Sequence, residues 1–190
     1  MAYTTSALVK TYLGISGSGD DTLLGTLVTR AQAAIDRYCG RTFEASTNTN
    51  RYFDPVRDSD GRTLLLDRDL CSINSITNGD SATVTATQYV TEPRNDTPYY
   101  AIRLLASSGT WWTYVDDPEN AITISGKWAY SAAAPDDIVQ AATRLAAWMY
   151  KMKDSQVFDQ TATTELGVLT LRQRMPTDVA DLLAPYRRQK

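Results

Sequence analysis

Apolar residues change their spacing twice along the chain, which divides it into three parts. They recur at helical intervals up to about Ala45, alternate from there to Ser131, and return to the helical interval from Pro135. The opening part predicts a short helix over Thr4 to Leu13, capped by Thr4 or Thr5, with Leu8, Val9, Tyr12 and Leu13 on one face. The loop "GISGSGDD" interrupts it. A second helix is expected from Asp20 or Asp21, carboxylates suited to the positive end of a helix dipole. Its stripe is Leu24, Leu27, Val28, Ala31, Ile35 and Tyr38, and Gly40 is placed to end it in a left-handed conformation. Cys39, in "IDRYCGRTF", falls in the last turn. A helix C-terminus disfavours a thiolate and no base is near in sequence, so Cys39 is read as structural.

In the middle part, "RYFD" and "RTLLLD" flank the turn-rich "PVRDSDG", and "CSINSIT" and "ATVTATQYV" flank Asn78-Gly79, a hairpin signal. "YYAIRLL" and "AITISGKW" also alternate, giving at least five strands, enough for a small barrel or sandwich. Pro135 then suits the first position of a helix whose broad face is Ile138, Ala141, Ala142, Leu145, Trp148, Met149 and Met152, ending near Lys151 and Lys153. Residues 154–175 are less regular, with "LGVLTL" as a strand or an ordered arm. A last helix opens at Pro176, carries Val179, Leu182 and Leu183, and stops before Pro185. The expected fold is therefore α+β. Residues 1–45 and 132–190 form a helical bundle from both chain ends, and residues 46–131 insert an antiparallel β barrel or sandwich-like subdomain.

Composition adds exclusions. A chain of 190 residues with 43% hydrophobic and 22% charged residues can bury a core without staples. Its net charge of -3 gives no footprint for tight nucleic-acid binding. The negative surplus lies in residues 46–131, where eleven carboxylates face seven cations. The sequence contains no histidine, which removes Ser-His and Cys-His catalysis and histidine metal sites. Cys39 and Cys71 fit neither a disulfide scaffold nor a metal spacing. The opening "MAYTTSALVK" has no signal-peptide pattern and no stretch is apolar enough to span a membrane, so synthesis in the cytosol with reduced thiols is expected.

The motif candidates are weak on their own residues. "GISGSG" has Ser18 where a nucleophile elbow needs glycine, and Thr22 where a dinucleotide loop needs one. A calcium loop through Asp58, Asp60 and Gly61 would have Val56 at its first position and Asp67 at its last. The pairs Asp67/Asp69 and Asp116/Asp117 make carboxylate hydrolysis conceivable, although acidic residues are also common in turns. Trp111-Trp112 beside Tyr99, Tyr100 and Tyr114 offers a stacking platform or an interface anchor. On an extended chain one of the two tryptophans faces inward. No catalytic residue, metal or cofactor is expected.

Three segments carry a family resemblance. "LVKTYLGISGSGDDTLLGTLVTRAQAAIDRYCGRTF", "AITISGKWAYSAAAPDDIVQAATRLAAWMYKMKD" and "MPTDVADLLAPYRR" together resemble the head-to-tail connector (adaptor, head completion) proteins of tailed bacteriophages. The chain departs in its β insertion and in Trp128-Ala129-Tyr130, where Trp-Gly-Tyr is usual. The resemblance implies a structural virion protein of the neck, in a ring of about twelve subunits on the portal protein. Such a ring extends the DNA channel, lets the genomic DNA pass without sequence-specific binding, and supports a stopper or tail-completion protein. It also implies a portal contact through Leu182, Leu183, Tyr186, Arg187 and Arg188. Three alternatives remain open: another neck role such as the stopper, a carbohydrate or host-surface module using Trp111 or Trp112, and a hydrolase using Asp67, Asp69, Asp116 or Asp117.

Overall fold

A computed structural model describes residues 2–153, 161–164, 167–170 and 175–188. They divide into two compact units, one of residues 41–134 and the other of residues 2–40 with the described part of 135–190.

In the helical unit, α1 runs Ser6–Leu13, and Thr5 caps it by accepting a hydrogen bond from the Leu8 N–H at 3.2 Å. Helix α2 runs Asp21–Cys39 and buries Leu24, Leu27, Val28, Ala31, Ile35 and Cys39, the predicted stripe shifted by one position at its end. Gly40 ends it at φ 68°, donating to the Asp36 carbonyl at 2.8 Å. Cys39 is structural as expected, 1% exposed in the last turn before that stop.

Helix α3, Asp136–Met152, has Pro135 one place outside it rather than at its first position. Its buried face is Ile138, Ala141, Ala142, Leu145, Ala146 and Ala147. Four alanines keep that face low, so neighbouring backbones approach closely. Helices α1, α2 and α4 (Thr177–Leu183) all pack on α3. Polar ties join the same elements: Tyr3 to Asp36 at 2.5 Å, Thr4 to Thr143 at 2.7 Å, Tyr150 to Asp20 at 2.5 Å, and an Arg144–Asp178 ion pair. The Pro176–Pro185 helix differs from expectation at its end, where Ala184–Tyr186 continues as a 3-10 turn containing Pro185. "LGVLTL" contributes a strand, Gly167–Thr170, antiparallel to Thr161–Thr164; in chain order these are β8 and β7.

The β unit holds β1 (Thr49–Phe53), β2 (Thr63–Leu70), β3 (Ser72–Thr77), β4 (Tyr89–Glu92), β5 (Tyr99–Leu104) and β6 (Ile122–Lys127). They form two antiparallel three-stranded sheets, ordered β1-β6-β3 and β2-β5-β4. Phe53, Ile76, Ile122 and Ile124 from the first sheet share one buried cluster with Leu64, Leu66, Leu70, Ile102 and Leu104 from the second. The barrel expectation is corrected here. Hydrogen-bonded ladders stay within each sheet among the described residues, and a barrel requires them to close around.

The Asn78-Gly79 turn does reverse the chain, but the hairpin is short. Thr77 and Thr83 pair antiparallel, with the Asn78 N–H donating to the Ala82 carbonyl at 2.8 Å and the Val84 N–H to the Ile76 carbonyl at 3.0 Å, while the long ladder of β3 is with β6. Gly79 serves a different contact, because a Cβ there would lie 2.2 Å from the Thr113 carbonyl oxygen. The side chain of Asn78, 1% exposed, donates to the Trp111 carbonyl at 2.9 Å and accepts from the Thr113 N–H at 3.3 Å. The dipeptide that suggested a hairpin thus anchors the segment 111–114.

"GRTF" and "WAY", quoted from separate segments of the sequence, meet in this unit. Tyr130 N–H donates to the Thr42 carbonyl at 2.8 Å, Ser131 donates to the Phe43 carbonyl at 3.1 Å, and the Phe43 and Tyr130 rings lie 5.7 Å apart. Trp128 donates from Nε1 to the Thr49 carbonyl at 3.0 Å and packs on Phe53, while Ala129 is buried. The Trp-x-Tyr pattern closes the unit on itself.

Gly126, next to the end of β6, sits under Ser72. An added Cβ would come within 2.3 Å of the Ser72 carbonyl oxygen and 2.8 Å of Leu70 Cδ1. Gly126→Ala should therefore destabilise the protein by about 1–3 kcal/mol or more. Thermal unfolding should show the midpoint falling by several degrees; an unchanged midpoint would contradict the close approach.

Candidate docking site

The C-terminal segment is held against the end of α2 inside the helical unit. Val179 and Leu183 are fully buried, fixing one face of α4, while Leu182 is partly exposed. Leu183 therefore belongs to this chain's own core. Tyr186 donates to the Asp137 carboxylate at 3.0 Å, and the Arg188 N–H donates to the Cys39 carbonyl at 2.8 Å. That second bond satisfies one of the carbonyls that a helix leaves open at its C-terminus. The Arg187 guanidinium lies 5.1 Å from the centre of the Tyr38 ring.

These contacts frame a cleft of about 750 Å³ lined by Arg37, Tyr38, Gly40, Pro185, Arg187 and Arg188. Among the described residues its side-chain charge is wholly basic. Asp36, next to Arg37 in sequence, is turned to Tyr3, and Asp137 accepts from Tyr186. The negative end of the α2 dipole points the same way, which favours the cations. Asp36 is half-buried, and burial raises its pKa above the ordinary carboxylate range although the Tyr3 hydroxyl works the other way. Asp20, at the opposite end of α2, is held low by hydrogen bonds from Tyr150 and Lys153.

In the β unit the two tryptophans separate. Trp112 is 5% exposed and donates to the Arg62 carbonyl at 2.9 Å, so it belongs to the core and presents no anchor to a partner. Trp111 is 52% exposed, lies against Gly61, and stacks under the Arg62 guanidinium at 4.0 Å. Opposite orientations follow from their adjacency, as expected, although the segment is not part of a named strand.

The carboxylates considered for chemistry are dispersed. Asp67 pairs with Arg51, and Asp69 lies 3.4 Å from Arg41 in a site of low exposure. Asp58 and Asp60 accept backbone N–H groups, from Asp54 at 2.9 Å and from Arg62 and Thr63 at 2.9 and 2.6 Å, which is turn chemistry. Asp116 and Asp117 stand exposed on a loop. Burial pushes the Cys71 thiol up, away from the thiolate. No helix among the described residues is long and apolar enough to cross a membrane.

What the surface offers is docking chemistry: an arginine cleft, an exposed tryptophan under an arginine, and an exposed acidic loop. These are features of a structural assembly subunit of mixed α/β fold. The chain belongs to the head completion protein family, whose model matches residues 2–189. This bears out the connector resemblance at the level of family. Among solved structures, the chain is similar to a protein in the neck of an empty gene transfer agent (GTA) particle computed with C6 symmetry. The TM-score is 0.60 at 15% identity, covering 97% of this chain and 89% of that one. It is also similar to a protein in the virion of a native GTA particle, with a TM-score of 0.58 at 16% identity over 97% and 89%. At these identities the likeness is one of fold. No curated protein matches the sequence.

Two measurements check this account of the surface and its supports. Trp112→Ala should cost about 3–5 kcal/mol, whereas Trp111→Ala should cost about 1 kcal/mol or less; chemical denaturation of both variants would reveal a reversed order. The raised pKa of Asp36 means the folded state holds its proton more tightly than the unfolded state. Its contribution to stability therefore falls as pH rises from the ordinary carboxylate value to the folded one. Asp36→Asn keeps an acceptor for Tyr3 and removes the buried charge. Its melting midpoint should match or exceed that of the parent by about 1–3 °C at neutral pH, and the gain should vanish near pH 3. A variant that is less stable at pH 7 would refute this reading.

Proposed function

We propose that the protein is a structural subunit of the neck of a tailed phage or phage-like particle. As an adaptor it forms an oligomeric ring on the portal, extends the DNA channel and supports the next neck component. One observation carries the reading: the family match over residues 2–189, on a fold shared along 97% of the chain with a neck protein.

The C6 symmetry of that neck supports a ring. A ring of about twelve copies is compatible with it, because a twelve-fold axis contains a six-fold one. The net charge of -3 per chain suits a conduit that lets DNA pass, since phosphate-driven binding needs clustered cations along the path. For the portal contact, Leu182 and Tyr186 are the side chains of the expected set best suited. Both are partly exposed, and both are held in place, by the buried face of α4 and by Asp137 respectively. Holding them in advance lowers the ordering cost of docking.

The test is electron microscopy of the purified protein mixed with its particle's own portal, alongside a Leu182→Glu variant. The adaptor reading expects a ring stacked on the portal, with occupancy lost or strongly reduced in the variant. Binding only to a preassembled portal–adaptor complex would point to the stopper role. No association with either would overturn the neck reading.

A further inference from the structure

The β unit carries its charge unevenly. Within residues 41–134 twelve carboxylates face eight cations, yet outside the stretches 54–62 and 111–120 the two are equal at six each. The whole surplus therefore sits in two loops. These are neighbours: Tyr52, Asp54, Arg57 and Asp58 line one small cleft with Glu119 and Asn120. The same end of the unit exposes apolar surface, with Val115 at 70%, Val56 at 64%, Tyr52 at 56% and Tyr114 at 42%. Asp116, Asp117 and Glu119 are exposed beside Val115, and the stretch 111–120 contains no cation. An exposed loop that sets an apolar pair directly beside acidic groups is costly to leave in water and suits a basic, partly apolar seat.

The helical unit has such a seat. The cleft at the end of α2 combines Arg37, Arg187 and Arg188 with the apolar surfaces of Tyr38 and Pro185, and among the described residues no carboxylate lines it. We propose that the acidic loop 114–119 of one copy docks in the arginine cleft of a second copy. The contact is heterologous, one surface of a subunit meeting a different surface of the next, which is the kind of contact that generates a ring when its rotation closes. Val115 supplies the apolar anchor against Tyr38 and Pro185, and Asp116 and Asp117 meet Arg37 and Arg187. Guanidinium groups suit this role because they pair carboxylates in a planar fork and stack on aromatic rings. The β insertion thereby acquires a function, the lateral joint between copies, and Leu182 and Tyr186 remain for the portal. This inference rests on the self-assembly part of the proposed function and is tested without the portal.

The experiment is sedimentation velocity of the full chain over a concentration series at about 0.05 M and about 0.5 M salt. Two variants accompany the parent, Arg37→Glu with Arg187→Glu, and Asp116→Arg with Asp117→Arg. All four positions lie on the surface of the cleft or loop, and melting curves confirm that each variant is folded. The parent should self-associate, less strongly at high salt. Each variant alone should shift the association midpoint by about tenfold or more. Mixed in equal amounts the variants should recover most of the parent's assembly, because each then offers the charge the other lacks. The proposal is overturned if the parent stays monomeric up to about 1 mM at low salt, if the loop variant assembles like the parent, or if mixing restores nothing. Stacking of the loop variant on portals in micrographs, with lateral assembly lost, would leave the neck reading standing and isolate the lateral joint.

Discussion

The low face of α3 is the constraint on which the helical unit depends. Ala141, Ala142, Ala146 and Ala147 leave room for other helices at short distance, and α1, α2 and α4 each take a place on it. Neither α1 nor α4 has a large apolar face of its own. α1 buries only Val9, and α4 only Val179 and Leu183. Short helices of this kind are marginal by themselves, so tertiary packing supplies their stability. The N-terminal 40 residues must therefore wait for a helix that begins at Asp136. Contacts across so long a separation carry a loop-closure cost and slow folding.

That wait is bridged by a unit with its own core. Strands β5 and β6 occupy the centres of the two sheets, and residues from both sheets fill one cluster of buried side chains. Where the chain enters and leaves this unit, "GRTF" and "WAY" clasp each other through Thr42, Phe43, Tyr130 and Ser131. The clasp brings the two ends of the insertion together. An insertion with adjacent ends can be carried by a helical scaffold with little disturbance to it.

Electrostatics is divided in the same way. Four carboxylates of the helical unit are spent on positioning: Asp20, Asp36, Asp137 and Asp178 each hold a tyrosine, a lysine or an arginine. The β unit instead leaves Asp116, Asp117 and Glu119 in solvent beside Val115. A protein whose role is assembly needs such unspent groups, because partners are chosen by the charges and apolar surface left over from folding.

Period and punctuation in the sequence determined the helices and most of the strands. The 3.6-residue stripe of α2, its stop at Gly40, the broad face of α3 and the alternation of β2, β5 and β6 are local properties, and each was legible without a partner. Taken in order, the three quoted segments (the two opening helices through Phe43, the stretch from Ala121 through α3, and the closing helix) carried the family resemblance. Tertiary structure alone decided which strands pair, because Asn78-Gly79 signals a turn and says nothing of what approaches it; the neighbour was the backbone at Thr113. It also decided that Trp112 is core while Trp111 is surface, that Leu183 is spent on the helical unit, and that Arg37 lies in one cleft with Arg187 and Arg188. The physical reason is common to all four. Periodicity records which face of an element is buried, whereas burial against a particular neighbour depends on residues 33 to 151 positions away, and their placement is fixed only when the whole fold closes.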